Sequence, residues 1–338
     1  MTKIDIYNHI FPEPYFKKMM EIAPNQRDLG KRVRNIPMLM DLDIRFRVMD
    51  RFDDYCQVLS TAAPAPETLA DPDTSPELAR AGNDGMAELC AKYPDRFPAF
   101  IATMPMNNVD AVLVEMDRAI KDLGACGIQM YTNVAGKPLD APEFAPIFEK
   151  IADYDLPVWV HPDRPATFAD YPGEAKSKYE IWWTFGWPYE TSVFMARLVF
   201  SGIFDRLPNL KIITHHMGGM VPYFEGRVGP GWDQLGKRTS DEDYTVVLKQ
   251  LRKRPFDYFK MFYADTAVFG SDSATRCGLD FFGPEHVLFA SDAPFDPEQG
   301  PMYIRETIRI IDDLDISEDA RRRIYQGNAE KLLKISVG

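Results

Sequence analysis

Cysteine, histidine and long apolar runs are all scarce in this chain of 338 residues. The four cysteines, Cys56, Cys90, Cys126 and Cys277, form no CxxC pair, which argues against a disulfide framework and predicts free thiols in a reducing cytoplasm. No apolar run approaches the roughly 20 residues that a membrane span needs. The opening MTKIDIYNHI lacks the basic, apolar and small-residue pattern of a secretion signal. We therefore expect a soluble, cytoplasmic protein with no membrane partner.

Basic charge is also in short supply. Lysine and arginine number 39 against 51 aspartates and glutamates, which gives a net charge of −12. Nucleic acid is therefore excluded as the main partner, because binding phosphates needs clustered lysine and arginine. An anionic substrate would require positive charge concentrated locally, in a metal ion or in a few arginines. The Gly-rich dinucleotide signature is absent after the first apolar run, which disfavours an open doubly wound sheet.

What the sequence does contain is a series of short apolar runs separated by helical patterns. Runs of strand length, followed by helical patterns such as 75–93 and 109–125, predict an α/β fold: the (β/α)8 TIM barrel, in a single domain covering 1–338. Two longer segments, at about 10–50 and 163–189, are expected to be insertions over the barrel mouth. The aromatic cluster in the second segment could instead form a dimer contact. The eight predicted strands are 4–9, 55–61, 97–104, 126–132, 157–162, 211–216, 260–266 and 286–292.

Four of the five histidines lie at the carboxyl ends of predicted strands 1, 5 and 6, and an aspartate ends strand 8. In a barrel these ends meet in one pocket, so imidazole and carboxylate groups there predict a divalent metal site or a catalytic site. Neighbouring residues of a strand point to opposite faces, so only one of His215 and His216 is expected to face the interior. The fifth histidine, His286, begins strand 8 and is expected to be structural. The residues of this predicted site are His9, His161, His216 and Asp292.

Aromatic and acidic side chains close to these strand ends are further candidates. Tyr131 ends strand 4 and should face the mouth, and Trp183 and Trp187 could wall an aromatic substrate. Packing in the core or at an interface is the alternative for both tryptophans. Asp163, two residues after the strand-5 histidine, could orient that imidazole. Asp265, at the end of strand 7, could do the same for a neighbouring ring, or it could cap the following helix.

The motifs IDIYNHIFP, VWVHPD, LPNLKIITHHMGG and VLFASDAPF resemble those of the amidohydrolase superfamily. They are most similar to the branch that contains the aminocarboxymuconate semialdehyde, γ-resorcylate and 5-carboxyvanillate decarboxylases. The segments 45–61 and 187–211 and the terminal YQGNAEKLL resemble the same branch, so the similarity covers nearly the whole chain. The resemblance implies a barrel of the metal-dependent hydrolase type with one divalent ion. It implies zinc first, with manganese or magnesium as alternatives, and a homodimer or homotetramer.

The resemblance also implies roles for individual residues. His9, His161 and Asp292 match the metal ligands of the family. His216 matches a histidine that acts beside the metal, which makes it a catalytic residue together with Asp292. The first strand of the family usually ends in HxH or ExH, but Tyr7 stands at the first of those positions here. Tyr7 could bind the metal as phenolate, contact substrate or water, or mark a site that has lost its metal.

The expected reaction is the non-oxidative decarboxylation of a cyclic or unsaturated carboxylic acid, with an aromatic acid favoured. That acid would be the small-molecule partner. Hydrolysis of an amide, ester or lactone bond uses the same residues and is the main alternative, with a hydratase and a metal-free binding protein as others. Arg32 and Arg34 lie near the place of a family arginine that binds substrate carboxylate, although a solvated basic loop would explain them equally. Arg227 matches a family arginine that would support the subunit interface or a neighbouring site. The substrate-binding candidates are Tyr7, Arg34, Tyr131, Trp183 and Trp187.

Overall fold

The computed structural model describes residues 1–24 and 35–337. Each of the eight predicted apolar runs contains β-structure, and the run at 55–61 forms a strand with the expected bounds. The strands are β1 Lys3–Ile10, β2 Tyr55–Thr61, β3 Ala99–Phe100, β4 Ala102–Thr103, β5 Ile128–Tyr131, β6 Asn133–Val134, β7 Lys137–Pro138, β8 Pro157–His161, β9 Lys211–Thr214, β10 Tyr263–Asp265 and β11 Val287–Leu288.

Parallel pairing arranges these strands as a barrel. One sheet has the order β1-β2-β3, a second has the order β4-β5-β8-β9-β10-β11, and β6 and β7 form a separate antiparallel hairpin. β3 and β4 are two pieces of one strand interrupted at Ile101, whose N–H donates to the Leu59 carbonyl of β2 at 2.8 Å. On the other side, the Ile6 N–H of β1 donates to the Phe289 carbonyl, just after β11, at 3.0 Å. The predicted (β/α)8 fold class is therefore confirmed.

Helices connect the strands, and side-chain caps fix several of their first turns. Asn108 and Ser271 each accept a hydrogen bond from the backbone N–H three residues later, which satisfies a donor that the helix leaves unpaired. The α-helices are α1 Glu13–Ile22, α2 Leu42–Met49, α3 Pro66–Leu69, α4 Ser75–Lys92, α5 Val109–Lys121, α6 Ala145–Tyr154, α7 Ile181–Thr184, α8 Gly186–Phe200, α9 Ile203–Arg206, α10 Thr245–Gln250, α11 Pro255–Phe259, α12 Asp272–Phe282, α13 Pro301–Asp313, α14 Glu318–Arg322 and α15 Asn328–Leu333. Short 3₁₀ turns occupy Pro37–Leu39, Pro142–Phe144, His216–Gly218 and Trp232–Gln234, and π-helical turns occupy Arg227–Gly231 and Arg323–Gly327. Within the two described ranges, no helix combines the length and the apolar character needed to cross a bilayer.

A bulge in β1 sets the direction of the side chains that matter for the site. The register of β1 against β2 shifts between Asp5 and Asn8. A bulge places two residues opposite one, which interrupts the alternation of faces along a strand. As a result, Ile6 and Tyr7 belong to the same core cluster although they are neighbours in sequence. That cluster also contains Trp159 and aliphatic side chains of several other strands, whereas a larger cluster packs the strands against the helices.

Candidate metal and catalytic site

The first and last strands bring His9 and Asp292 together. Nε2 of His9 lies 3.0 Å from Oδ1 of Asp292, and both side chains are buried. A backbone hydrogen bond of 3.1 Å from the Asp292 N–H to the Tyr7 carbonyl holds the two segments in register. Because Asp292 follows β11 in a left-handed conformation, with φ of 62°, its carboxylate turns toward β1. The side chains predicted to meet at the ends of strands 1 and 8 are therefore in contact.

His161 ends β8 in the same pocket. Its Nδ1 lies 2.6 Å from the Pro162 carbonyl oxygen, which can only accept, so Nδ1 carries the hydrogen and Nε2 is the free nitrogen. The expected partner, Asp163, does not orient this ring. The centroid of the His161 ring lies 5.7 Å from that of His9. Burial first, and then the neighbouring histidines, hold the pKa of His161 well below its ordinary value.

His215 and His216 both enter the pocket, so the prediction that only one would do so is wrong. Their ring centroids lie 3.8 Å apart. Nε2 of His215 lies 3.4 Å from one carboxylate oxygen of Asp292, and Nε2 of His216 lies 3.5 Å from the other. Alternation of faces requires extended backbone, but β9 ends at Thr214 and His216 adopts a left-handed conformation with φ of 53°. The turn rotates His216 back to the side on which His215 lies.

Asp265, at the end of β10, orients this pair. Its carboxylate contacts Nδ1 of His215 and accepts the backbone N–H of His216 at 3.0 Å. Of the two expected roles, orientation of a neighbouring imidazole is therefore present. Burial lowers the pKa of His215, but the charge and hydrogen bond of Asp265, together with the nearby carboxylate of Asp292, outweigh it and raise that pKa to about 9. Burial also opposes ionisation of Asp292, yet the polar contacts of the three histidines around it, His215 first, hold its pKa well below the usual range.

The predicted substrate contacts are only partly placed beside the histidines. The rings of Tyr131 and Trp187 lie 5.1 and 5.0 Å from that of His161. Trp183 is one step further away, 6.4 Å from Trp187. Arg34, like Arg32, falls outside the described residues. Tyr7 lies within the pocket, with its ring 4.2 Å from that of His215 and its hydroxyl buried without a hydrogen-bond partner among the described residues.

Two phenylalanines of the pocket were not predicted from the sequence. The ring of Phe269 lies 5.0 Å from that of His216, and the ring of Phe295 lies 5.4 Å from that of His9. Phe295 is the last residue of the VLFASDAPF motif, so its proximity to Asp292 was a usable signal. Phe269 carries no such signal, because it follows a strand end in a segment without a motif.

The donor set fits a divalent metal ion. Within residues 1–24 and 35–337, two sets of three residues offer ligand atoms that lie within 4.8 Å of one another: His9, His161 and His215, and His215, His216 and Asp292. The trio predicted from the sequence, His9, His161 and Asp292, is not itself one of these sets. Nε2 of His215 and Nε2 of His216 are buried without hydrogen-bond partners in this part of the chain. Buried polar atoms without partners are rare, and imidazole and carboxylate are common ligands of divalent transition metals.

Comparison with known sequences decides the family. The profile described as amidohydrolase matches residues 4–335. The chain belongs to the amidohydrolase family. γ-Resorcylate decarboxylase from Polaromonas sp. (strain JS666) is 32% identical over 313 residues, which cover 88% of this chain and 89% of the relative. 2-Amino-3-carboxymuconate-6-semialdehyde decarboxylase from Dictyostelium discoideum is 29% identical over an alignment of 347 positions, which covers 98% of this chain and 91% of the relative.

Solved structures give the same result for this amidohydrolase. A dihydroxybenzoic acid decarboxylase from Polaromonas sp. JS666, crystallised with bound manganese and the inhibitor 2-nitroresorcinol, superposes with a TM-score of 0.79 at 28% identity. The alignment covers 98% of this chain and 97% of that chain. The resemblance to the decarboxylase branch that the motifs indicated is therefore confirmed over nearly the full length.

Proposed function

We propose that this amidohydrolase catalyses the metal-dependent, non-oxidative decarboxylation of an aromatic or unsaturated cyclic carboxylic acid. The observation that carries the proposal is the buried convergence of His9, His161, His216 and Asp292 in one pocket, in a chain whose relatives are named as decarboxylases. Simple hydrolysis would use the same residues, and the nature of the product separates the two reactions.

His9, His161 and Asp292 would hold one divalent ion, with zinc proposed first and manganese or magnesium as alternatives. When bound, such an ion supplies a Lewis acid that binds and polarises substrate oxygens. Manganese in the solved relative supports a divalent ion in this fold. Because these side chains are buried, water is largely excluded from the site. The attraction between the ion and a substrate carboxylate would therefore be strong.

His216 and Asp292 would move the proton. Nε2 of His216 lies 3.5 Å from Oδ2 of Asp292, so the two groups can share a proton within the pocket. In decarboxylation the carbon that bears the carboxylate accepts a proton, the bond to the carboxylate breaks, and its electron pair returns to the ring as CO2 leaves. His216 and Asp292 would deliver that proton and recover it from solvent after the product leaves.

Aromatic side chains would form the walls of the substrate pocket. Tyr131 and Trp187 contact His161 directly, and Trp183 extends the same wall. Tyr7 would donate a hydrogen bond to substrate, and Arg34 would bind its carboxylate. In this proposal the chain forms one barrel domain, and the segment 163–189 lies over its mouth.

Assembly and location complete the proposal. Tyr223 is 80% exposed, and the Arg227 guanidinium lies 5.6 Å from the ring of the neighbouring Phe224, which is also exposed. Exposed aromatic side chains next to an arginine are typical of protein interfaces. These side chains support a homodimer or homotetramer, and the unpaired cysteines support a cytoplasmic location.

A substrate screen tests the reaction. Purified protein loaded with zinc, manganese or magnesium should release CO2 from a hydroxybenzoate or a related unsaturated acid. Release of CO2 with no added water in the product would support the lyase, whereas a product that has gained water and retained its carboxylate would identify a hydrolase or hydratase.

Substitutions test the site. Asp292→Ala should lower turnover by about 10²–10⁴-fold, the range typical of losing an acid–base group, while circular dichroism shows a retained fold. His161→Ala should lower turnover at least as strongly, because it removes a proposed metal ligand. His286→Ala is the matched control, because His286 lies at the opposite end of the barrel, with Nδ1 3.0 Å from the Phe262 carbonyl. Near-normal turnover in both site variants would show that the pocket was wrongly chosen.

A further inference from the structure

His215 is the residue that both candidate ligand sets share. It belongs with His9 and His161 in one set and with His216 and Asp292 in the other. Its side chain is 1% exposed, and its ring centroid lies 5.5 Å from that of His161 and 6.2 Å from that of His9. An ion that contacts residues of both sets would therefore lie next to His215.

The Asp265 contact determines which nitrogen of His215 is available. The carboxylate only accepts hydrogen bonds, so Nδ1 of His215 carries the hydrogen and donates it to Asp265. Nε2 then faces the pocket, buried and without a hydrogen-bond partner among the described residues, 3.4 Å from Oδ1 of Asp292. A carboxylate on one nitrogen of an imidazole and a metal on the other is a common arrangement, because the carboxylate fixes the ring and increases its basicity.

Tyr7 lies against the same ring. The two ring planes meet at 89° with centroids 4.2 Å apart, so Tyr7 and His215 occupy adjacent positions in the pocket. The hydroxyl of Tyr7 has no hydrogen-bond partner in the described part of the chain. Imidazole is a far more common ligand of zinc than a phenol hydroxyl is. The chain thus carries a weak ligand within β1 and an additional histidine next to it.

We propose that Nε2 of His215 is a metal ligand, and that it supplies the imidazole that Tyr7 does not. The site would then contain His9, His161 and His215 around the ion, with Asp292 as the carboxylate. This inference rests on the proposed metal-dependent function. The rival role for His215 is an ion pair with Asp292 that holds the pocket together without touching a metal.

Metal affinity separates the two roles, and a rescue makes the test specific. Binding of Zn²⁺ and Co²⁺ to the purified chain is measured by competition with a chelator, and the Co²⁺ absorption spectrum reports the ligands. His215→Ala should weaken binding by at least about 100-fold, more than the loss of an outer partner, and should change the Co²⁺ spectrum. Adding Tyr7→His to His215→Ala should restore affinity to within about tenfold of the unaltered chain, because the new imidazole lies beside the lost one. His286→Ala is the matched histidine control and should change nothing.

The outcomes are distinct. If the unaltered chain binds no Zn²⁺, Mn²⁺ or Mg²⁺, the proposed function itself fails. If the chain binds metal and folded His215→Ala binds it equally well, only the assignment of His215 is overturned. Tyr7→His alone provides the test should His215→Ala not fold. If His215 already supplies the ligand, Tyr7→His should change metal affinity by less than about tenfold. A gain of about 100-fold or more would show that the ligand position assigned to His215 had been empty.

Discussion

Two buried polar groups lie on opposite sides of β1, and they differ in how completely their atoms are paired. The first, called here the Arg45 network, contains Asp5, Asn8, Arg45, Tyr55 and Gln57. The guanidinium of Arg45 is fully buried and donates to Asn8 at 3.2 Å, to Gln57 at 2.6 Å and to the carbonyls of His9 and Met38. Tyr55 donates to Asp5 at 2.5 Å and accepts from Gln57 at 2.8 Å. Only Nε of Arg45 lacks a partner in this network, as far as the structure describes the chain.

The second group, called here the histidine cluster, contains His9, His161, His215, His216 and Asp292. Nε2 of both His215 and His216 and the nearby hydroxyl of Tyr7 are buried without hydrogen-bond partners in the described ranges, although the two nitrogens lie 3.4 and 3.5 Å from Asp292. Both groups place polar atoms where water cannot reach them, which costs free energy unless the atoms are paired. The Arg45 network pairs its atoms internally, as a stabilising group does, whereas the histidine cluster leaves atoms for the external ligand that we propose.

Removing the guanidinium should produce the largest change in stability. Arg45→Met fills a similar volume but leaves Asn8, Gln57 and two backbone carbonyls without their donor. Losing one partner of a buried charged network typically costs about 3–5 kcal/mol. Urea unfolding of the metal-free chain should therefore show a free energy of unfolding lower by about that amount.

Arg47→Met is the matched control, because Arg47 is an exposed arginine on the same helix, α2. It should change the free energy of unfolding by less than about 0.5 kcal/mol, as is usual for surface positions. A cost below about 1 kcal/mol for Arg45→Met would show that the network contributes little, and the contrast between the two groups would then disappear.

The sequence predicted the barrel well because its signals are local. Apolar runs of strand length fix the position of each strand, and the carboxyl ends of barrel strands meet by topology alone. That argument brought His9, His161, His216 and Asp292 to one pocket, as the structure shows. Their roles as ligands and as proton carriers stay predictions, since proximity does not assign a role.

The role of His215 could not be predicted because it depends on a turn. Alternation placed one of the two adjacent histidines behind the sheet, but the left-handed backbone at His216 and Met217 brings both rings into the pocket. The glycines that follow were the available signal. Gly218 has φ of 75°, and a Cβ there would lie 2.7 Å from the Phe282 ring, so the tight turn requires glycine. The bulge in β1 has no comparable signal, because nothing in IDIYNH marks the extra residue.

The buried carboxyl of Glu67 lies outside both groups and makes the stability of the chain depend on pH. Both carboxylate oxygens of Glu67 are buried without hydrogen-bond partners in the described chain. Burial first, and then the charge of Asp163, raise the pKa of Glu67 from 4.5 to about 8, although the backbone amides of Glu67 and Met106 act in the opposite direction. The folded state therefore holds this proton more tightly than the unfolded state does. The stability that the folded chain gains from this tighter proton binding is fully present below about pH 4.5 and is lost as the pH rises to about 8.

Glu67→Gln removes that titration. The variant should match the unaltered chain near pH 5 and should be more stable by roughly 2–4 kcal/mol near pH 8, since one pKa unit corresponds to about 1.4 kcal/mol. Urea unfolding at both pH values measures the difference. Glu88→Gln, at an exposed glutamate of α4, is the matched control and should change the free energy of unfolding by less than about 0.5 kcal/mol, as is usual for surface positions. An equal effect at both pH values would mean that Glu67 ionises freely in the folded state.

The smallest effect, and the most direct comparison, comes from removing one hydroxyl on each side of β1. Tyr55→Phe removes one of the donors to Asp5 and the acceptor of the Gln57 side-chain amide, and it should lower the free energy of unfolding by about 1–3 kcal/mol. Tyr7→Phe removes a hydroxyl that has no partner among the described residues, so it should leave stability unchanged or raise it by about 1 kcal/mol or less. Both are measured by urea unfolding of the metal-free chain. Equal losses in the two variants would mean that the Tyr7 hydroxyl is as well paired as that of Tyr55, and the histidine cluster would no longer differ from the Arg45 network.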